Sequence, residues 1–416
     1  MTNPVPVVDC VLVNGWVIDP ANALDGPAEV AIDGGRIAAV GADLSTTPRK
    51  KTVDVHGAIV CPGLVDLHVH CYAWLTPFGL RADDVGVNAG CTTIVDQGSA
   101  GAWTFGGFLE YVIKPSKTDV RSFLSINLAG ALQGGMRGEV LHNPAMVDLD
   151  EQARVAQTYP HLIRGIKCHG ESGGLSNWGT AVLQKAVEAG KRLDLPLYCH
   201  TGELFPVNEG NRPDPRQVLK PVVALLRPGD TLAHVYSGAP DGIMGNHEGV
   251  PPIVFEAIEK GLHFDIGYGV NFRFDIARKM MAAGVLPNTI SSDAHGAFAG
   301  FYDDSELDYS LCGAMTRMLA LGMPLSDIIR RVTVNPARLL RDPEIGSLSP
   351  GTRADVTVLE RVPERRLQTD SRRESVVAQE QLVPRLVVRN GELIEPTRRY
   401  LPDLPARRDD RYAIVA

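Results

Sequence analysis

Residues 63–70 read Gly-Leu-Val-Asp-Leu-His-Val-His, an apolar run that ends in two histidines. The run predicts a buried strand, and because side chains alternate between the faces of a strand, His68 and His70 point the same way. Two imidazoles on one face can form half of a metal site, although such a pair is as often structural. The pair gains weight from residues at later strand ends, namely Lys167, His200, His234 and Asp293.

The length, composition and net charge of the chain limit the kinds of protein that it can be. It has 416 residues, 44% of them hydrophobic, and a formal net charge of −8. This length suffices for a large barrel or two to three domains. The negative charge gives no reason to expect nucleic acid or an anionic membrane as a partner. The expected partner is a small-molecule substrate, and the sequence leaves open whether the chain forms a homo-oligomer.

The location is predicted from what the sequence lacks. No apolar run approaches the ~20 residues that span a bilayer, and no signal-peptide pattern opens the chain. The seven cysteines are scattered, odd in number and without a CxxC pair. This pattern suits reduced core thiols, and we expect a cytoplasmic protein.

Both ends of the chain have the sequence pattern of short strands. Residues 5–62 contain short apolar runs, with hairpin signals at Asn14-Gly15 and at Asp33-Gly34-Gly35. Strand-like runs return at 354–359 and 384–392. We therefore predict a small β-sandwich domain built from residues 1–62 and 343–398, followed by a surface tail at 399–416.

The middle of the chain, residues 63–342, alternates apolar strand-like runs with amphipathic helices. Repeated β-then-α units imply a parallel sheet with right-handed crossovers. Counting from residue 63 gives eight strands, so the predicted fold class is α/β, a (β/α)8 TIM-like barrel with the small sandwich domain attached. In such a barrel, functional residues lie at the C-terminal ends of the strands, where the six polar residues are predicted.

These six residues favour a metal centre. Four histidines and one carboxylate are ligands suited to zinc, although such sites also bind other divalent metals. Lys167 looks out of place because an ammonium group repels a cation. It fits if CO2 has added to the amine, which makes a carbamate able to bridge two metals. The residues alone leave this reading and that of a plain ammonium equally open.

Several motifs together resemble the amidohydrolase superfamily over about residues 5–395. The matching segments are 62–70 (Pro-Gly-Leu-Val-Asp-Leu-His-Val-His), 165–167 (Gly-Ile-Lys), 199–200 (Cys-His), 233–234 (Ala-His), 292–295 (Ser-Asp-Ala-His) and 351–356 (Gly-Thr-Arg-Ala-Asp-Val). Residues 95–101 and 105–108 are similar to the amidohydrolase/deacetylase subgroup, a neighbour of dihydroorotases and D-aminoacylases.

The resemblance implies a role for each strand-end residue. One metal ion, expected to be Zn2+, would be held by His68, His70 and Asp293. A second would be held by His200 and His234. Carboxylated Lys167 and a hydroxide would bridge the two ions, and the hydroxide would attack the substrate. Asp293 would act as general base and pass the proton to the leaving group.

Weaker patterns suggest substrate contacts. His169 shares a strand face with Lys167, and His295 follows Asp293 by two residues. Arg273, after the seventh strand, could pair with a substrate carboxylate, but an exposed arginine is an equal alternative. Gly98 and Ser99 follow the second strand, where they would present N–H groups to the substrate or form a tight turn.

Two further residues have structural alternatives that we favour. Cys168 could bridge metals, as in some D-aminoacylase-like sites, but strand alternation turns it away from Lys167 and toward the core. Glu203, in His-Thr-Gly-Glu at 200–203, is similar to a motif of adenosine-type deaminases. Here we predict that Glu203 contacts the metal-binding side chains and does not bind a metal itself.

The leading functional interpretation is a binuclear metal-dependent hydrolase that cleaves an amide or ester bond. Its expected substrate is a small acylated carboxylate, either an N-acyl amino acid or an O-acetyl 2-hydroxy acid. The alternative is a cyclic amidohydrolase of the dihydroorotase or hydantoinase type, which needs a carboxylate clamp that the sequence does not assign. Deaminases usually hold one metal and lack the strand-four lysine, so Lys167 argues against that activity. A non-catalytic scaffold would be expected to lose ligands, and none is missing here.

Overall fold

The structure is a computed structural model that describes residues 7–76, 78–132, 141–202, 204, 206–269, 271–296, 309–372 and 374–397. Glu203 and the predicted tail at 399–416 lie outside the described residues. All seven cysteines are buried and unpaired, as predicted for core thiols. Within the described residues, no helix combines the length and apolar character needed to cross a bilayer.

Strands and helices alternate between residues 64 and 282, as the sequence predicts for the middle of the chain. The described strands are β1 (Val8–Asp19), β2 (Leu24–Asp33), β3 (Arg36–Gly41), β4 (Arg49–Asp54), β5 (Ile59–Pro62), β6 (Leu64–Val69), β7 (Cys91–Gln97), β8 (Asp119–Ser125), β9 (Ile163–His169), β10 (Leu197–His200), β11 (Thr231–Leu232), β12 (His263–Phe264), β13 (Val356–Val362), β14 (Arg366–Thr369), β15 (Ser375–Ala378), β16 (Gln381–Arg389) and β17 (Glu392–Ile394). The described α-helices are α1 (Ala82–Val85), α2 (Phe105–Phe108), α3 (Leu149–Thr158), α4 (Ser172–Trp178), α5 (Ala181–Leu193), α6 (Pro215–Leu225), α7 (Pro252–Glu259), α8 (Phe274–Ala282), α9 (Leu311–Ala320), α10 (Leu325–Val332) and α11 (Val334–Leu339).

A seven-stranded parallel sheet carries the candidate site. Its strands β6 to β12 lie side by side in chain order, and each pair is parallel. Every residue of β6 and β7 is buried, as expected for parallel strands covered on both faces. Helix α5 is amphipathic and buries residues such as Val182, Ala186 and Ala189. The predicted parallel β/α arrangement is confirmed.

The predicted eighth strand at 289–293 is not present as a strand, and the described residues do not form a closed eight-stranded barrel. Residues 289–294 instead make isolated parallel bridges, Asp265 with Thr289 on one side and Val69 with Ala294 on the other. The Asp293 N–H donates to the His68 carbonyl at 2.7 Å. The segment therefore lies beside both edges of the sheet and carries Asp293 next to β6.

The chain ends build one eight-stranded sheet, in the order β17-β16-β13-β5-β1-β2-β3, with β4 paired to β1. The predicted two-sheet sandwich is not confirmed, and the domain boundaries stay a prediction. The hairpin predicted at 33–35 is confirmed, because β2 and β3 pair antiparallel across it. The hairpin predicted at Asn14-Gly15 is wrong. There β1 continues through a register shift, and Asn14 takes a left-handed backbone (φ 60°), as one type of bulge does.

Segment 351–356, which matches the family pattern, joins the two sheets. Arg353 pairs with Asp355 at 2.6 Å and with Asp119 of β8 at 2.8 Å. The Asp355 carbonyl accepts from the Gly63 N–H at 2.8 Å, directly before β6. This part of the family-like pattern therefore anchors the start of the strand that carries the two histidines.

Candidate metal centre

Three of the predicted ligands meet at the end of β6. His68 Nε2 lies 3.0 Å and His70 Nε2 lies 3.6 Å from Asp293 Oδ1. The two histidine Nε2 atoms are 3.3 Å apart, and all three side chains are buried. These residues form a candidate metal site, because one ligand atom from each converges within 4.8 Å of the others.

The other two histidines form a second, adjoining pair. His200 ends β10 and His234 follows β11, and His200 Nδ1 lies 3.0 Å from His234 Nε2. The ring centroids of His68 and His234 are 5.4 Å apart, so the pair borders the first group. His234 Nδ1 lies 2.9 Å from the Gly267 carbonyl and His200 Nε2 lies 3.0 Å from the Gly202 carbonyl. When His234 Nδ1 and His200 Nε2 carry the hydrogens and donate to these carbonyls, the two nitrogens that face each other carry none and can accept.

Lys167 lies beside these groups. Its side chain comes from the end of β9 and is 2% exposed, with Nζ 3.5 Å from His68 Nε2. The Nζ atom lies 4.7 Å from the centre of the Tyr198 ring. The structure thus brings all six predicted strand-end residues to one end of the parallel sheet.

The spacing of the donors fits a divalent metal. Two ligands that share a tetrahedral zinc at the usual bond length stand about 3.3 Å apart. The four donor pairs given above range from 3.0 to 3.6 Å. Imidazole and carboxylate donors are also the chemistry that zinc and related metals prefer. The residues present can therefore hold such ions.

Electrostatics favour neutral imidazoles at this site. Burial, and then the nearby Lys167 ammonium, hold the pKa of His68 and of His70 well below 6.5. Burial and His234 do the same to the pKa of His200, and burial lowers the pKa of His234 to about 3. A metal binds only the neutral imidazole, so these ligands need lose no proton at neutral pH.

The pKa values of Lys167 and Asp293 both shift in the direction that favours the uncharged form of the group. Burial lowers the pKa of Lys167 to about 8, although Asp293 opposes the change. Burial raises the pKa of Asp293 well above its ordinary range against the attraction of Lys167. Only a neutral amine adds CO2, and a carboxyl group with a raised pKa is suited to proton transfer.

Two of the predicted ligands have unusual backbones. His234 (φ 63°) and Asp293 (φ 54°) both lie in the left-handed region, which is uncommon for residues other than glycine. Such conformations cost about 1–3 kcal/mol each and cluster at functional sites. The surrounding hydrogen bonds hold both residues in place. No local sequence pattern predicts either backbone conformation.

The predicted substrate residues His169 and His295 lie beside different histidines of the centre. The ring of His169 is 5.5 Å from that of His200, and the ring of His295 is 6.1 Å from that of His70. Burial lowers the pKa of His169 well below 6.5 and that of His295 to about 3. Phe78 stacks on His295 at 4.6 Å and closes this side with an apolar face. Sequence reasoning had missed Phe78.

The other tentative residues contact protein groups. Ser99 Oγ lies 3.0 Å from His70 Nδ1, and Gly98 packs against the Lys167 side chain. Arg273 forms an ion pair with Asp275 at the start of α8. The substrate roles of Gly98, Ser99 and Arg273 stay predictions. Cys168 is buried in the apolar core, as its strand position suggested.

Sequence reasoning also missed a polar layer behind the ligands. Tyr198 lies between His68 and Asp265. His142, which had no motif support, is buried with Nε2 against the Glu171 carboxylate and stands edge-on to His169, with ring centroids 5.9 Å apart. The only available signal was that Tyr198 lies two residues before His200 and therefore shares its strand face.

We expect the Gly98→Ala substitution to damage the centre through Lys167. Gly98 has φ +81°, and an added Cβ would stand 2.7 Å from Lys167 Cγ. Gly284→Ala is the matched control, since Gly284 has φ +80° but no atom within 4 Å of an added Cβ. The control should lose about 1–2 kcal/mol of unfolding free energy from backbone strain alone.

Gly98→Ala should lose more than the control, because Lys167 must also move. Urea unfolding measures the first effect, and zinc binding measures the displacement of Lys167. Equal stability losses together with wild-type zinc affinity for both variants would show that Gly98 is only a turn residue.

Comparisons with known proteins agree with this arrangement. A profile described as the amidohydrolase family matches residues 273–394. A deacetylase from Agrobacterium fabrum (strain C58) is 31% identical over 383 residues, which cover 91% of this chain and 89% of the deacetylase. A solved adenine deaminase matches with a TM-score of 0.81 and 27% identity, over 93% of this chain and 100% of its own. A solved dihydroorotase has a TM-score of 0.79 and 29% identity, over 93% and 99%. With a relative this similar along most of both chains, the protein belongs to the amidohydrolase family of hydrolases.

Proposed function

We propose that this hydrolase uses two divalent metal ions, Zn2+ in the first instance, to remove an acyl group from a small carboxylate-bearing molecule. The convergence of buried donors carries the proposal. Four neutral imidazoles, one carboxylate and one lysine meet at the strand ends with donor spacings of 3.0 to 3.6 Å. A purely structural core would not bury so many polar groups together unless they bind a metal ion or a substrate.

In this proposal the six residues divide into two ligand sets. His68, His70 and Asp293 would hold one ion, and His200 and His234 the other. Lys167 would span both as a carbamate, because an unmodified ammonium beside His68 would repel the ions. We also propose that residues 289–294 close the barrel without forming a regular strand, since they make isolated bridges to both edges of the sheet.

The chain's own groups would manage the protons. When bound, the metals would supply an activated water and polarise the scissile carbonyl. Asp293 would take a proton from the attacking water and return it to the leaving group. Its Oδ1 lies 3.0 Å from His68 Nε2, among the proposed ligands, and this position supports the role.

The substrate would lie between His169 and His295. Both imidazoles are neutral, so they would give or accept hydrogen bonds and would not pair with a carboxylate as cations. Among the described residues, His169 Nδ1 is buried without a hydrogen-bond partner, which supports a contact with a ligand. A substrate carboxylate that binds Arg273 would have to compete with Asp275 for the guanidinium group.

The choice of reaction rests on the relatives. Deacylation of an N-acyl amino acid or an O-acetyl 2-hydroxy acid agrees with the deacetylase that is 31% identical. Hydrolysis of a cyclic amide is the second candidate, favoured by the likeness to a dihydroorotase at 29% identity. The likeness to an adenine deaminase makes ammonia release a necessary part of the test.

The test is a substrate screen of zinc-loaded protein with its metal content measured in parallel. The panel contains N-acetyl D- and L-amino acids, O-acetyl 2-hydroxy acids of both hands, dihydroorotate, hydantoins and aminopurines. Near pH 8, hydrolysis of esters or cyclic amides acidifies the solution, and release of ammonia raises the pH. Open-chain amides are followed with an amine-reactive dye, because their hydrolysis changes the pH little.

We expect two zinc ions per chain and turnover of one acetylated enantiomer. Turnover of ring substrates alone would move the assignment to cyclic amide hydrolysis. Release of ammonia alone would assign a deaminase. Failure to bind any divalent metal would contradict the proposed centre altogether.

A further inference from the structure

The buried carboxylate of Asp265 is surrounded by hydrogen-bond donors. It is 0% exposed and accepts from the Tyr198 hydroxyl at 2.6 Å and from the Gly267 N–H at 2.8 Å. The hydroxyl groups of Thr289 and Ser291 also donate to it. Tyr198, Gly267 and Ser291 contact Oδ2, and Thr289 contacts Oδ1. All four donors favour the ionised carboxylate and oppose the burial that raises the pKa of Asp265. This is how a protein keeps a buried carboxylate ionised.

The first arm of this network reaches His68. The Tyr198 hydroxyl uses its one hydrogen in the hydrogen bond to Asp265, so its oxygen can only accept a further hydrogen bond. His68 Nδ1 lies 3.0 Å from that oxygen and must therefore carry the hydrogen. A neutral imidazole has one N–H, so the lone pair of His68 lies on Nε2, which faces Asp293 and His70.

The second arm reaches His234. The peptide group of Gly267 donates its N–H to Asp265, and the Gly267 carbonyl accepts from His234 Nδ1 at 2.9 Å. Gly267 has φ +46°, and an added Cβ would stand 2.8 Å from His234 Nδ1, so only glycine fits between them. The lone pair of His234 is then on Nε2, which faces His200.

We propose that Asp265 is a positioning residue that sets the tautomers of His68 and His234, one histidine from each half of the proposed metal centre. The inference rests on the proposed function for its purpose, but its geometry comes from the protein groups alone. Histidine ligands of metals are commonly oriented through the ring nitrogen that does not bind the metal. Here one carboxylate would orient two such rings, through Tyr198 and through Gly267.

The test compares Tyr198→Phe with Tyr236→Phe. Both tyrosines are fully buried, but among the described residues the Tyr236 hydroxyl donates to the Val285 carbonyl alone, at 3.1 Å. The two substitutions remove the same atom, so general effects on stability should be similar. We expect Tyr198→Phe to weaken zinc binding by about 10- to 100-fold in chelator competition, and Tyr236→Phe to leave it unchanged.

A second readout does not need metal. Nitrogen-15 NMR of histidine-labelled, metal-free protein distinguishes the two tautomers, with His68 and His234 assigned by their single substitutions. In the wild type both rings should carry hydrogen on Nδ1. Tyr198→Phe should mix the tautomers of His68 and spare His234, whereas Asp265→Asn should disturb both rings. Thr289→Val removes one donor to Asp265 but neither arm, and should leave both tautomers intact.

The outcomes separate the two proposals. If the wild type binds no divalent metal, the proposed function fails, and the tautomers of the metal-free protein still decide whether Asp265 sets the rings. If Tyr198→Phe keeps wild-type zinc affinity and a pure His68 tautomer, the inference is overturned. Equal weakening of zinc binding by Tyr236→Phe would also overturn it, because the effect would then be general.

Discussion

Asp293→Asn is expected to remain folded and to lose at least about 10²-fold in kcat toward the substrate found in the screen. Asparagine tolerates the left-handed backbone that Asp293 adopts (φ 54°), and its amide occupies nearly the same volume. The amide cannot accept a proton from water, so the proposed base is removed with little change in shape. This loss corresponds to about 2.7 kcal/mol of transition-state stabilisation.

The matched control for this variant is Asp150→Asn. Asp150 lies in the first turn of α3 with its side chain 87% exposed, paired with Arg192. Its replacement should leave kcat and metal content unchanged. Metal content must also be measured for Asp293→Asn, because Asp293 is a proposed ligand as well as the base. Full activity in a folded, zinc-loaded Asp293→Asn protein would remove Asp293 from the catalytic role.

Lys167→Ala should lose most of the bound metal and bring activity close to background. Without the amine no carbamate can form, and His68, His70, His200 and His234 would lack the anion proposed to join their ions. The fold should survive, because the substitution removes an amine that burial makes costly, although the cavity will lower stability. Metal analysis and thermal unfolding of the purified variant measure these two effects.

Rescue by small carboxylic acids distinguishes a carbamate from a plain ammonium. In Lys167→Ala the vacated space should admit propionate, whose carboxylate can stand in for the carbamate and restore part of the zinc and the activity. Lys167→Met fills the space without supplying an amine, so it should lose metal equally and resist rescue. A Lys167→Ala protein that retains full metal, or that propionate restores no better than Lys167→Met, would contradict the bridging role.

Much of the parallel sheet was predictable because its signals are local. Apolar runs such as Cys91–Gln97 and Ile163–His169 alternate with amphipathic segments such as Ala181–Leu193, and the alternation itself implies parallel strands. The C-terminal ends of parallel strands lie at one end of a sheet. Lys167 and His200 were therefore expected together before any coordinate was known, and the structure places them so.

Predictions failed where distant contacts override a local pattern. Asn14-Gly15 carries a hairpin signal, yet β1 continues past it because β4 and β5 pair with β1 on either side of the bulge. Residues 289–293 have the composition of a strand, but their contacts with the two edges of the sheet are isolated bridges. Neither outcome is encoded in the few residues concerned.

By itself, the sequence determined which polar side chains stand at the ends of the parallel strands, because strand periodicity and the order of the β/α units are properties of short segments. Only the tertiary structure decided which nitrogen of each histidine faces the candidate site. That choice depends on partners far away in the chain, such as Tyr198, whose hydroxyl lies 3.0 Å from His68 Nδ1 although the two residues are 130 positions apart. A hydrogen bond across the sheet interior leaves no periodic trace, so it becomes visible only when the strands are brought together.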